Sequence, residues 1–201
     1  MNYAELFFRL TKKRVLYNIM PIKNIPTMIK HGILSYNNID FQHESIADPD
    51  VQERRNKTIP NGKELHSYVN LYFDPRNPMM YRRRDQHNFL CVLAVNAQIL
   101  NLNGIVISDQ NAARNYAKFI APNEMETALD FEIIYIRDWN DDDAFEKSKR
   151  KAIKCAEVLV PNCIPYQHIV GAIVSCNESK ELLLKSGFCK RIKIDPDIFF
   201  R

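Results

Sequence analysis

Apolar positions recur along the chain with two different spacings, and each spacing predicts a kind of element. Short runs that are apolar throughout, or at alternate positions, predict strands. These runs are residues 15–19, 69–73, 89–95, 105–107, 169–174 and 190–194. Helical spacing predicts helices over residues 3–10, 25–31, 79–85, 112–120 and 178–185, and one that opens at 141–143. Residues 131–136 fit either a strand or the end of a helix.

Polar residues and glycine mark the ends of several predicted helices. Asn24 is a candidate N-cap for the helix that follows it, and Gly32 stands where that helix is expected to end. Ser108 or Asp109 is expected to cap the helix predicted over 112–120. The order of elements therefore predicts an α+β fold, which we expect to be a single domain over residues 1–201.

The longest polar segment spans residues 37–63 and separates the first predicted strands from the rest. It is predicted to be a surface loop with one short helical turn at 49–55. Loops of this length without regular structure are often functional. This segment is therefore a place to look for a site.

Composition narrows the possible functions. The chain has 201 residues, 46% of them hydrophobic and 26% charged, with a formal net charge of +4. This mildly basic balance permits a nucleic-acid partner without requiring one. The five glycines are widely separated, which excludes a Walker loop, a GxGxxG turn and a GxSxG elbow.

The cysteines and the apolar runs bear on the compartment. The five cysteines are scattered and odd in number, which fits buried thiols in a reducing cytoplasm better than disulfides. No apolar run reaches the roughly 18 residues of a membrane span. The N-terminus lacks the basic and then apolar layout of a signal peptide. We therefore expect a cytoplasmic protein without membrane contact.

Arg55 and Glu157 are the first candidates for chemistry. Arg55 lies in the polar segment, and Glu157 directly precedes an apolar stretch. A carboxylate in apolar surroundings is costly unless it is hydrogen-bonded or functional. The pattern alone nevertheless favours Glu157 as an exposed residue in the last turn of a helix.

A second candidate is the segment 68–82, where tyrosines alternate with arginines and prolines. Aromatic side chains stack on unpaired bases, and arginines contact phosphates. The pattern alone favours the alternative, a core strand followed by a solvated basic helix.

A metal site is not expected. The histidines are far apart in the sequence and lack partners at ligand spacing: His31, His43, His66, His87 and His168. Cys163 with His168 is a poor match to a thiol nucleophile. Three adjacent aspartates at 141–143 point in different directions on a helix, so they favour a helix start over a nuclease site.

The stretch LHSYVNLYFDPRNPM at 65–79 resembles the "DYVPFYFxPRSPM" signature of the DarT family, the DNA ADP-ribosyltransferase toxins of bacterial toxin–antitoxin systems. Weaker matches follow the family's order: Tyr17-Asn18-Ile19 with Gly32, Arg54-Arg55 with Ile59-Pro60, and AEVLVP at 156–161. The resemblance runs from about Leu16 to the C-terminus.

This resemblance implies an ADP-ribosyltransferase fold, a split and mostly antiparallel sheet flanked by helices, with NAD bound as substrate in the central cleft and no metal. It assigns catalysis to Arg55, with Arg54 as the adjacent alternative, and to Glu157. It also implies two sets of binding residues. For NAD these are Tyr17, Asn18, Ile19, Gly32, Leu34 and Arg55. For DNA they are Tyr72, Arg76, Met79, Asn111 and Lys151.

Three positions depart from the family pattern. Asn18 and Asn111 stand where the family commonly has histidine, and Asn70 stands where it has proline. An amide at Asn18 still hydrogen-bonds a carboxamide or a ribose. We expect these changes to affect the preferred base or sequence context more than the reaction.

The resemblance implies transfer of ADP-ribose from NAD to a base of single-stranded DNA, most simply thymidine, with release of nicotinamide. Arg55 is a permanent cation and cannot be the base, so Glu157 is the candidate proton acceptor. A basic surface would contact the backbone of the DNA strand, and it consists of Arg76, Arg82, Arg83, Arg84, Lys149 and Lys151. We expect a monomer, and the family implies a DarG-like macrodomain antitoxin as partner.

Other targets and one other class of function fit the same residues. Guanine, RNA or a protein side chain would accept the same group on the same fold. A non-catalytic module that binds single-stranded nucleic acid would use the segment 72–84 without consuming NAD.

Overall fold

The computed structural model describes residues 1–41, 43–46, 48–60 and 62–201. Its helices are α1 (Tyr3–Thr11), α2 (Ile25–His31), α3 (Pro49–Arg54), α4 (Pro78–Arg82), α5 (Met125–Ala128), α6 (Phe131–Tyr135), α7 (Ala144–Ile153) and α8 (Asn177–Lys185). Its strands are β1 (Val15–Pro21), β2 (Ile33–Leu34), β3 (Tyr68–Tyr72), β4 (Leu90–Asn96), β5 (Val106–Ser108), β6 (Phe119–Ile120), β7 (Glu157–Pro161), β8 (Cys163–Ile164), β9 (Ile169–Val174) and β10 (Arg191–Ile194).

Within the described residues, eight strands form one sheet in the order β10-β9-β4-β1-β3-β7-β5-β6. Neighbouring strands are antiparallel, except for β9 and β10, which are parallel. Strands β2 and β8 form a separate antiparallel pair. The predicted α+β class and mostly antiparallel sheet are confirmed.

The sheet is split between β1 and β3. The register between these strands joins a single pair of described residues, Tyr17 and Tyr72. By contrast, β1 pairs with β4 along its whole length. Beyond the single pair, the side-chain amide of Asn18 reaches across and donates to the carbonyl of Asn70 at 3.1 Å. We call this junction of two half-sheets the seam.

Two apolar clusters hold the sheet in place. The larger one packs α1, α2 and α8 against the strands and includes Phe7, Met28, Leu93 and Leu183. A smaller cluster, which includes Tyr72, lies at the seam. Strands β1 and β3, which meet at the seam, therefore rest on packed side chains.

The predicted helix over 112–120 is wrong. The segment 109–118 is a loop closed by its own polar groups, and Phe119–Ile120 pairs with β5 as a strand. Asp109 caps no helix, because its carboxylate accepts the backbone N–H of Lys118 at 2.9 Å. Two backbone N–H groups of the segment donate to nearby side chains, that of Ala113 to Asn111 and that of Lys118 to Asp109.

Other boundaries differ in smaller ways. Asn24 precedes α2, but its side chain bonds the backbone N–H and carbonyl of Glu44 instead of capping the helix. The segment that fitted either a strand or a helix end forms the short helix α6, Phe131–Tyr135. The loop predicted over 37–63 includes Gln42, Ala47 and Asn61, which lie outside the described residues, and its helical turn is α3.

Candidate active site

Glu157 is the first residue of β7, in the half-sheet next to the seam. It lies opposite Tyr72 of β3 on one side and Ser108 of β5 on the other. Its side chain is 1% exposed, so the expectation of an exposed residue in a last helical turn is wrong. Helix α7 ends at Ile153, and the intervening turn brings the chain into the sheet.

Arg55 follows α3 and points its side chain at that carboxylate. Its Nη1 donates to both oxygens of Glu157, at 2.9 and 3.2 Å. One of those oxygens also accepts the backbone N–H of Ala112 at 3.3 Å. Arg55 is buried while Arg54 is exposed, so the adjacent alternative does not share this geometry.

The loop 109–118 is tied to this pair. Lys57 donates from Nζ to the carbonyl of Arg114 at 2.8 Å. Burial, and then the positive charge of Arg55, lower the pKa of Lys57. The wrongly predicted helix is thus a loop that supplies one backbone donor to Glu157.

A cavity of about 210 Å³ opens on one side of the Arg55–Glu157 pair. Most of the residues predicted to bind NAD line it: Asn18, Ile19, Gly32, Leu34 and Arg55. Tyr17 lines neither this cavity nor the larger one, because its ring packs with Ile19 and Tyr72 in the smaller cluster. Tyr17 contributes to the cleft through its position at the seam.

A larger cavity of about 980 Å³ opens on the other side of the pair. All the residues predicted to contact DNA line it: Tyr72, Arg76, Met79, Asn111 and Lys151. Glu157 lines only the larger cavity, whereas six residues line both: Asn18, Ile19, Ile46, Gln52, Arg55 and Asn70. The cavities therefore meet at the seam, where the buried pair lies.

The larger cavity is strongly basic. Nine of its described lining residues are arginine or lysine, and three are aspartate or glutamate. Four members of the predicted basic surface line it, namely Arg76, Arg82, Arg83 and Lys151. Arg84 instead stacks on the ring of Tyr81 at 4.3 Å, and Lys149 pairs with Glu146. An excess of cations of this size suits a polyanion.

An aromatic cluster at the rim of the larger cavity was missed by the sequence interpretation. The rings of Tyr81, Trp139 and Phe200 meet edge to face, with centroids 5.1 to 6.1 Å apart. Arg76 stacks on Phe200 at 4.1 Å and donates to the carbonyl of Arg137 at 2.7 Å. The isolated Trp139, the only tryptophan in the chain, was the available signal.

Burial shifts the titration of groups around the pair. Burial, and then the negative charge of Glu157, raise the pKa of Tyr72 well above its usual value. Its hydroxyl therefore stays protonated at neutral pH. The pKa of His66 is lowered by burial and by Arg55, so its imidazole is neutral at pH 7.

The described residues show neither a cluster of metal ligands nor a membrane-spanning helix. In that part of the chain, no three His, Cys, Asp or Glu side chains are grouped as metal ligands would be. None of the helices described above has the length and apolarity needed to cross a bilayer.

Residues 17–200 match the family model described as "ssDNA thymidine ADP-ribosyltransferase, DarT". A DNA ADP-ribosyl transferase–DNA ADP-ribosyl glycohydrolase fusion protein of Thermosipho africanus (strain H17ap60334) is 33% identical over 197 residues. That match covers 93% of this chain and 49% of the fusion protein, so this chain spans about half of that relative's length.

A DNA ADP-ribosyl transferase of Thermus sp. (strain 2.9) is 30% identical over 183 residues, which cover 85% of each chain. Its structure in complex with ADP-ribosylated single-stranded DNA superposes with a TM-score of 0.82, at 27% identity over 94% of this chain and 97% of that one. Its complex with NAD⁺ gives a TM-score of 0.78, at 25% identity over 92% and 97%. The family match and the shared fold together establish that this chain belongs to the DarT family.

Proposed function

We propose that this chain transfers ADP-ribose from NAD to thymidine in single-stranded DNA and releases nicotinamide. One observation carries the proposal. The buried Arg55–Glu157 pair lies where a small cavity and a large basic cavity meet. A transferase with two substrates needs its catalytic groups at such a junction, because both reacting atoms must reach them together.

The smaller cavity has the donor set that NAD requires. Asn18 supplies an amide and Arg55 a guanidinium, which suit carboxamide, ribose and phosphate oxygens. His66 also lines this cavity. The Thermus protein whose fold this chain shares has been seen with NAD⁺ and with carba-NAD⁺.

Arg55 and Glu157 would have different catalytic roles because their charges are opposite. Bound NAD supplies a ribose carbon that becomes electron-poor as its bond to nicotinamide breaks and the bonding pair leaves with nicotinamide. Glu157 would accept the proton of the thymine ring nitrogen as that nitrogen bonds to the ribose carbon. Arg55 holds the carboxylate in place and would stabilise a base carbonyl as negative charge develops on it.

The larger cavity would hold the DNA strand. The reacting nitrogen of thymine is engaged in a base pair in duplex DNA, so the strand must be unpaired there. Tyr81, which is 45% exposed, offers aromatic surface for bases, and Arg83 and Lys151 offer charge for phosphates.

The test is mass spectrometry of single-stranded oligonucleotides after incubation with the protein and NAD. Oligonucleotides that contain thymine should gain one ADP-ribose, and those without thymine should not. Glu157→Gln keeps the acceptor for the Ala112 N–H and the contact to Arg55 but cannot take a proton. We expect it to lose at least about a hundredfold in rate, as expected when a general base is removed.

Arg191→Gln, on the exposed edge strand β10, serves as the active control. If a guanine-only oligonucleotide, RNA or a protein were modified and thymine were not, that molecule would be the acceptor of ADP-ribose. DNA binding without any mass gain would favour the non-catalytic binding module. Full activity of Glu157→Gln would refute its role as the base.

We further propose a DarG-like macrodomain as the partner that removes the modification. The Thermosipho relative joins a transferase and a glycohydrolase in one polypeptide, which supports a pairing of the two activities. A cytoplasmic setting agrees with the five free cysteines, because thiols stay reduced there. The toxin role would follow from DNA modification in the absence of that partner.

A further inference from the structure

The carboxylate of Asp197 contacts two arginines of the larger cavity. Asp197 lies in the short 3₁₀ turn Pro196–Phe199. Nη2 of Arg137 lies 2.6 Å from each of its two carboxylate oxygens. Nε of Arg76 lies 3.6 Å from one of the same oxygens. Arg76 and Arg137 both line the larger cavity, so a single carboxylate answers two of the cavity's cations.

Arg76 is also held by contacts that do not involve this carboxylate. Its Nη1 donates to the backbone carbonyl of Arg137 at 2.7 Å, and its Nε donates to the backbone carbonyl of Asp197 at 3.2 Å. Its guanidinium carbon lies 4.1 Å from the centroid of the Phe200 ring. Carbonyls and an aromatic ring orient a guanidinium without cancelling its charge. Arg76 would therefore keep its position if the Asp197 carboxylate moved away or lost its charge.

The ion pair is open to solvent and to a ligand in the cavity. The side chain of Asp197 is 47% exposed and that of Arg137 is 70% exposed. An ion pair this exposed contributes little net stability, because water solvates both ions once they separate. Another anion can therefore take the place of the carboxylate at little cost, which is not true of the buried Arg55–Glu157 pair.

A phosphate suits this place because guanidinium groups bind carboxylate and phosphate oxygens in the same paired geometry. Building on the proposed function, we propose that Arg76 and Arg137 form a phosphate subsite for single-stranded DNA. Asp197 occupies this subsite in the free protein, and a phosphate of the strand replaces its carboxylate. Neither Arg137 nor Asp197 is among the DNA-contacting residues that the family resemblance implies.

The first test is Asp197→Asn, which removes the competing charge and keeps the backbone carbonyl that Arg76 bonds. Binding of a labelled thymine-rich oligonucleotide is followed by fluorescence anisotropy without NAD. We expect the affinity to rise about two- to fivefold, the usual worth of one exposed ion pair. The slope of log K against log salt should steepen by about 0.7, because one more phosphate contact then releases counterions.

Asp138→Asn is the matched control. Asp138 is exposed and lines the same cavity, and its carboxylate accepts from the backbone and side-chain amides of Asn140. Its substitution changes the net charge equally and leaves the contact between Arg137 and Asp197 intact. Each substitution is also measured together with Arg137→Gln. The gain from Asp197→Asn should largely disappear in that background, whereas the effect of Asp138→Asn should be the same in both.

A second measurement locates the phosphate and does not depend on any variant of Asp197. Oligonucleotides in which one phosphate at a time is replaced by an uncharged methylphosphonate are bound to wild type and to Arg137→Gln. One position should weaken binding to wild type and have a much smaller effect on Arg137→Gln. If no position behaves in this way, Arg137 contacts no phosphate and the subsite is overturned.

The remaining outcomes are equally distinct. Weaker binding by Asp197→Asn would mean that the carboxylate positions the arginines for DNA, which overturns the exchange. Equal gains from Asp197→Asn and Asp138→Asn would overturn it as well, because net charge alone would explain them. If wild type binds the strand and transfers no ADP-ribose to thymine, the proposed function fails, while the binding measurements still decide the subsite.

Discussion

Glu157 is a carboxylate held almost entirely out of water, and Arg55 is the cation that balances it. Each side chain is less than one-tenth exposed, at 1% and 9%. A buried pair of this kind contributes little net stability, because removing both ions from water offsets their attraction. Removing one partner is different, since the other is then left as an uncompensated charge.

Arg55→Met should therefore destabilise the fold by about 3–5 kcal/mol, the usual result of breaking a buried ion pair from one side. The double variant Arg55→Met/Glu157→Gln should regain most of that loss, because no charge remains unpaired. Urea unfolding followed by circular dichroism measures both values. If the losses of stability from the two single substitutions simply added in the double variant, the pairing would be contradicted, because groups that do not interact give additive effects.

The sequence predicted individual site residues unevenly, and the reason is physical. The pattern of apolar residues around Glu157 was ambiguous. A residue between a helix and an apolar run can be the exposed end of the helix or the buried start of a strand. The resemblance to a family, and not periodicity, identified Glu157 and Arg55. The sequence did not identify His66 and Trp139 as cavity-lining residues, because their place in a cavity wall depends on contacts between distant segments.

Gly32 shows how a single position sets the spacing between elements. It ends α2 with φ +81° and ψ −175°, a backbone conformation that is essentially restricted to glycine. A Cβ there would lie 2.5 Å from the carbonyl oxygen of Ile164 in β8. Strand β2, which begins at the next residue, pairs with β8, so this close approach places one wall of the smaller cavity.

Gly32→Ala should accordingly cost more than a comparable substitution elsewhere. Gly187 also has a positive φ, +89°, but a Cβ there would meet nothing closer than 3.9 Å. Gly187→Ala measures the cost of a positive φ without an overlap, and Gly32→Ala should cost about 1–3 kcal/mol more because of the overlap with Ile164. Thermal unfolding of the two variants compares them. Equal shifts in Tm would mean that the Ile164 carbonyl gives way without cost.

Elements with strong periodicity were predicted well, and those fixed by distant polar contacts were not. Strands β4 and β9 and helix α8 lie within a residue or two of their predicted bounds. The helix predicted over 112–120 is absent because the Arg114 carbonyl, which a helix would pair with the Lys118 N–H, accepts from Lys57 instead. No local pattern contains that partner, so a sequence window cannot reveal it.

The net charge of the whole molecule is modest, but positive charge is concentrated in one cavity. A formal net charge of +4 is spread over 201 residues, while the larger cavity alone holds an excess of six cations, nine minus three. Binding of single-stranded DNA should therefore depend strongly on salt, because each neutralised phosphate releases counterions.

Arg83→Gln and Lys151→Gln should each reduce the slope of log K against log salt by about 0.7, the value for one contact to a single strand. Both residues line the larger cavity. Arg191→Gln, with the same change of charge on the far edge strand, should leave the slope unaltered. Fluorescence anisotropy of a labelled thymine-rich oligonucleotide gives these slopes. An equal reduction in all three variants would show that net charge alone attracts DNA.

The seam has a consequence for what the cleft admits. An interior gap gives a sheet two additional strand edges, and exposed edges invite another chain to pair with them. Here β1 ends at Pro21, which has no amide hydrogen, and the Asn18 amide already occupies the carbonyl of Asn70 across the gap. An incoming peptide strand would find few donors and acceptors in sequence, whereas a compact ligand needs only one or two. The gap thus favours a compact ligand over an added peptide strand.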